Sequence, residues 1–164
     1  DSRQSRGLGD VYKRQMHILR AEKGFIVVGQ ETDGTVTPYD LGMDWIVSKT
    51  KHDFVGKRAL KRSDIIKTDR KQLVGLLTEN ETEVIPEGSQ VVETPTSAPP
   101  MVMIGHVTSS YYSPNCNRSI AMALVKGGKE KIGQTLHVPL RNKTIKVTVT
   151  DTQFFDKEGV RLDG

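Results

Sequence analysis

Ile145, Val147 and Val149 alternate with Lys146, Thr148 and Thr150 near the end of the chain. A period of two is what a strand with one buried face requires. Short apolar runs of the same kind recur at 72–77, 90–93, 102–108, 119–125 and 135–140, so with Thr144–Thr150 six strands are predicted. Turn residues separate them at Glu87-Gly88, 126–129 and 141–143, and Pro95, Pro99 and Pro100 mark 93–101 as an exposed loop. Strands this short and this evenly spaced predict a small antiparallel β-barrel over residues 69–164.

Upstream the pattern differs. Phe25-Ile26-Val27-Val28, closed by Gly29, reads as a buried strand, and Trp45-Ile46-Val47 as another. Thr37 followed by Pro38 predicts a capped short helix. Asp53 is placed to cap an amphipathic helix running to Arg62 with Phe54, Val55, Ala59 and Leu60 on its apolar side, although Gly56 weakens it. Residues 16–68 are too few to bury a core of their own, which implies that they belong to something larger. Residues 1–15, DSRQSRGLGDVYKRQ, have neither helical nor strand periodicity. They resemble translated adaptor DNA and are set apart as a non-native or disordered tail.

Composition narrows the function classes. The chain is 35% hydrophobic and 27% charged, with no apolar run near the roughly 20 residues that span a bilayer, so no membrane partner and a cytoplasmic location are expected. One cysteine, Cys116, excludes an internal disulfide framework. The net charge of +4 would suit a nucleic acid, but half of it sits in residues 1–15 and the remaining cations are scattered among acids. Without a basic tract interleaved with aromatics, no nucleic-acid partner is expected. The histidines His17, His52, His106 and His137 lack metal-ligand spacing, so no metal is expected, and Gly127-Gly128 is a turn and not a phosphate-binding loop.

The stretch 19–60, LRAEKGFIVVGQETDGTVTPYDLGMDWIVSKTKHDFVGKRAL, carries L-R-x-E, a glycine-started apolar run, T-P, and D-F-x-G-[KR] in order. It resembles the end of the folate-binding domain of the glycine-cleavage T-protein (aminomethyltransferase) family, while IGHVTSSYYSP, SIAMALV and the closing strand resemble that family's C-terminal barrel. The resemblance implies an α+β fragment: residues 16–68 as the C-terminal part of a folate-binding aminomethyltransferase domain, then residues 69–164 as the barrel domain. LRAEKGFIVVGQETDGTVTP, Val28 before its glycine and FFDKEGVRLDG are closest to the sarcosine oxidase alpha-subunit branch. That branch implies tetrahydrofolate as cofactor and the other subunits of a hetero-oligomeric enzyme as partners, with flavin and NAD outside this chain. A glycine-cleavage aminomethyltransferase, a dimethylglycine-oxidising enzyme and a non-catalytic barrel module remain the alternatives.

The site residues follow from the resemblance. A pterin ring presents N–H and NH2 donors side by side, a pattern that one carboxylate accepts in a bidentate pair. In the resembling family the glutamate of L-R-x-E makes that contact, which here is Glu22. On residue chemistry alone the competing reading is a surface glutamate paired with Arg20 or Lys23. Lys51 stands where the family commonly has a folate-contacting arginine, and its cation suits the anionic folate tail. The family's proton-handling aspartate has no counterpart here, since Asp33, Asp40 and Asp44 sit in turn or cap contexts. No catalytic residue is therefore assigned, and the chain alone is expected to be inactive.

Overall fold

The structure is a computed structural model that describes residues 2–96 and 100–162, with side chains from 11–96 and 100–161. Part of the loop expected at 93–101 lies outside the described residues. The helix α1 (Ser2–Glu22) is followed by a long irregular segment and then by six strands: β1 (Lys71–Thr78), β2 (Gln90–Val92), β3 (Met103–Ser113), β4 (Arg118–Lys126), β5 (Thr135–Pro139) and β6 (Thr144–Thr150). They close into an antiparallel barrel in the order β1-β4-β3-β2-β5-β6. All six predicted strands are present. The third runs five residues past its expected end, through the polar stretch SSYYS.

Side-chain alternation explains the closure. Ile145, Val147 and Val149 of β6 point inward with Val74 and Leu76 of β1 and Val107 of β3. Strand β4 is apolar on both faces, which requires a cover on each. Its small residues Ala121 and Ala123 enter the barrel core, while Ile120, Met122 and Leu124 face outward and are buried beneath Ala21, Ile26, Val36 and Leu41. The upstream segment therefore acts as the lid of the outer face of β4, and burial there is worth about 1.5–3 kcal/mol per large side chain.

The upstream elements depart from expectation. Neither 25–28 nor 45–47 is a strand: only an isolated bridge joins Val28 to Thr32, and Asp44–Ile46 forms a 3₁₀ turn. The barrel pairs its strands with one another and leaves no free edge, so these runs have no ladder to join. Phe25, Val28 and Trp45 are exposed as a result. The helix expected after Asp53 is reduced to turns and a 3₁₀ segment, Ala59–Lys61. Gly56 adopts φ +94°, and Val55, expected on the buried face, is fully exposed. The Thr37-Pro38 cap is also reversed, because the Asp40 carboxylate accepts the Thr37 N–H and hydroxyl and closes a single turn.

Residues 2–15, expected to lack regular structure, instead continue α1. The packed C-terminal end of that helix supplies the costly nucleus, and each further residue adds a backbone bond without repeating that cost. Hydrophobic periodicity gave no sign of it because residues 11–16 are all exposed.

Candidate functional site

Helix α1 ends in a Schellman motif: Gly24 at φ +73° donates to the Ala21 carbonyl, and Phe25 N–H reaches the Arg20 carbonyl. That stop fixes Glu22 in the last turn, pointed at the barrel. The Glu22 carbonyl accepts the N–H groups of both Phe154 and Phe155 at 2.9 and 3.0 Å, so the segment after β6 ties down the same point. Gly75 of β1 permits the approach, since a Cβ there would meet the Asp151 carbonyl and, at 2.8 Å, the Phe154 ring.

The Glu22 side chain is 2% exposed. Its Oε1 accepts the Ser113 hydroxyl at 2.5 Å and its Oε2 accepts the Asn115 amide at 2.8 Å. Ser113 Oγ in turn accepts the Cys116 N–H at 2.9 Å, which directs its single proton at Glu22. Among the described residues no cation pairs with this carboxylate. Arg20 is committed to Glu31 at 2.9 Å and Lys23 to Asp156 at 2.9 Å, so the surface ion pair considered for Glu22 does not form. Glu22 also lies at the negative end of its helix dipole, where a carboxylate is disfavoured. A buried carboxyl group with no cation beside it, at the wrong helix end, contributes little to stability.

A second buried carboxylate lies next to it. Glu31, with no exposure, accepts Arg20 Nη1 at 2.9 Å, Val27 N–H at 2.7 Å and the Ser109 hydroxyl. Arg20 also donates to Gln30 at 2.9 Å and to Ser109 at 2.7 Å. Ser109, Tyr111 and Ser113 occupy alternate positions on the outer face of β3, so one strand face presents hydroxyls to both glutamates. Sequence reasoning missed Ser109, Ser113, Asn115 and Glu31. The signal was the alternation of the hydroxyl residues Ser109, Tyr111 and Ser113 in HVTSSYYSPN, hidden because SSYYSP looks like a loop.

Lys51 is exposed in an irregular segment, its N–H bonded to Ser48 Oγ at 3.1 Å and its carbonyl accepting Lys57 Nζ at 2.7 Å. Among the described residues its ammonium has no partner. No contact joins it to Glu22, and the adjoining cavity of about 370 Å³ is lined by Tyr39, Asp44, Lys49, Phe54, Lys57 and neighbours, without Lys51. The aspartates read as turn formers keep that role: Asp33 accepts the N–H and hydroxyl of Thr35, which hold its carboxyl below its ordinary range. No described helix is long and apolar enough to cross a membrane.

Comparison with known proteins adds four findings. Residues 71–156 match the glycine cleavage T-protein C-terminal barrel domain. The chain is 49% identical over 154 residues to the sarcosine oxidase subunit alpha of Corynebacterium sp. (strain P-1), covering 91% of this chain and 16% of that one. It is 34% identical over 147 residues to the aminomethyltransferase of Clostridium botulinum (strain Okra / Type B1), covering 85% of this chain and 36% of the relative. The crystal structure of glycine cleavage system aminomethyltransferase T from Bartonella henselae superposes with a TM-score of 0.71 at 24% identity, over 86% of this chain and 38% of that one, which shows a shared fold.

Proposed function

Because the chain belongs to the glycine cleavage T-protein C-terminal barrel domain family, we propose that it is the barrel-bearing C-terminal portion of a tetrahydrofolate-binding enzyme of the sarcosine oxidase alpha type. The whole enzyme converts the one-carbon unit from sarcosine oxidation to 5,10-methylenetetrahydrofolate and works with the other subunits of a hetero-oligomer. Tetrahydrofolate, when bound, supplies the nitrogens that carry that unit. Glu22 accepts the paired pterin donors, and Lys51 offers a cation to the folate tail.

The observation that supports this reading is Glu22 itself: buried, free of a cation among the described residues, and held by two neutral donors. A carboxylate has roughly four lone-pair directions. Ser113 and Asn115 use two of them, so acceptor capacity remains for a pterin. The partnerless ammonium of Lys51 is the weaker support. The aminomethyltransferase relative, at lower identity, favours a glycine-cleavage enzyme as the second reading.

The test is tetrahydrofolate affinity in the full-length protein, read by calorimetry. Glu22→Ala strands two pterin donors and should weaken binding by about 2–4 kcal/mol. Glu22→Gln should cost less, since one acceptor oxygen survives while the charge is lost. Parental affinity in Glu22→Ala would remove Glu22 from the site.

A further inference from the structure

The carboxylate of Glu22 is not oriented by its own helix. Its two side-chain partners come from the barrel: Ser113 at the end of β3 and Asn115 in the turn that leads to β4. Ser113 has no exposure, and its hydroxyl has only one arrangement that satisfies its neighbours, accepting from Cys116 N–H and donating to Oε1. Asn115 approaches the other oxygen from a separate position in the turn. With each oxygen fixed by a different donor, the plane of the carboxylate is set, and so is the direction of its unused lone pairs.

We propose that Ser113 and Asn115 are positioning residues for folate, aiming the Glu22 carboxylate so that its free lone pairs meet the pterin donors. The proposal rests on the reading of Glu22 as pterin acceptor. It gives the barrel a part in ligand binding that a lid or spacer would not have. The two residues act through Glu22 and touch no ligand themselves. Bidentate recognition depends on the carboxylate plane, so a freely rotating carboxylate would lose alignment with two parallel donors while keeping its charge.

A double-mutant cycle on tetrahydrofolate dissociation constants in the full-length protein tests this. Ser113→Ala and Asn115→Ala should each raise the dissociation constant about 10-fold in the parent, the effect of one lost hydrogen bond to a charged group. In a Glu22→Ala background both substitutions should have no effect, because nothing is left to aim. Should Ser113→Ala fail to fold, Asn115→Ala, at an exposed turn position, decides by the same cycle. Losses of equal size in both backgrounds would mean a merely structural role and would overturn the proposal, as would unchanged affinity in the parent. Glu22→Ala with parental affinity would instead sink the folate reading on which the proposal stands, and the two failures are told apart by that single arm.

Discussion

Arg70 reaches Asp40 through Nε at 3.1 Å and Nη2 at 2.7 Å, and the Asp40 carboxylate also accepts the Thr37 N–H and hydroxyl. Burial alone would push the Asp40 carboxyl up; the hydrogen bonds from Arg70 and Thr37 outweigh it and hold the group below its ordinary value near 3.8. The unfolded chain therefore binds the proton first as pH falls. The stabilisation is complete above the ordinary value and is lost as pH drops through the lower folded one. The ion pair thereby anchors the 35–40 turn onto β1, where Leu73 N–H meets the Asp40 carbonyl at 2.8 Å. Arg70→Ala, which strands a carboxylate 4% exposed, should cost about 3 kcal/mol in denaturant unfolding at pH 7. The cost should shrink below pH 4 as Asp40 protonates. A pH-independent difference would assign the loss to the arginine's packing.

At the scale of elements, the described side chains of α1 divide into those that touch the barrel and those that are exposed. His17 stacks on Tyr111 at 6.3 Å between centroids and Ala21 enters the outer core, whereas residues 11–16 are exposed. Deleting residues 1–15 should leave the melting temperature unchanged, since the exposed residues 11–15 have little to lose; a drop of several degrees would show that the segment packs. The strands were legible because β6 and β4 write their faces in the order of their residues. The upstream strands were misread for the opposite reason: Phe25 to Val28 and Trp45 to Val47 have strand composition, but pairing depends on an edge that the closed barrel does not offer. The serine face of β3 was illegible because Ser109 and Ser113 are polar and buried, and only their distant partners Glu31 and Glu22 make that arrangement sensible.

For the whole molecule, the barrel closes on itself, and the segment before it is a cover on one side with an unpaired surface on the other. Ile26, Val36 and Leu41 pack onto the outer face of β4, while Phe25, Trp45, Val55 and Ile66 remain exposed. Glu22 sits at the seam between cover and barrel. Its identity as a candidate came from the L-R-x-E resemblance, whereas its burial and its barrel partners came only from the fold. Lys51 shares the resemblance but not the location, so the two do not yet form one site within this chain. The most direct measurement is a crystal structure of the full-length protein with tetrahydrofolate bound. The account predicts pterin N–H and NH2 donors within roughly 2.7–3.2 Å of the Glu22 carboxylate, with Ser113 and Asn115 still in place behind it. A pterin bound elsewhere, with Glu22 contacting only its two barrel partners, would contradict it.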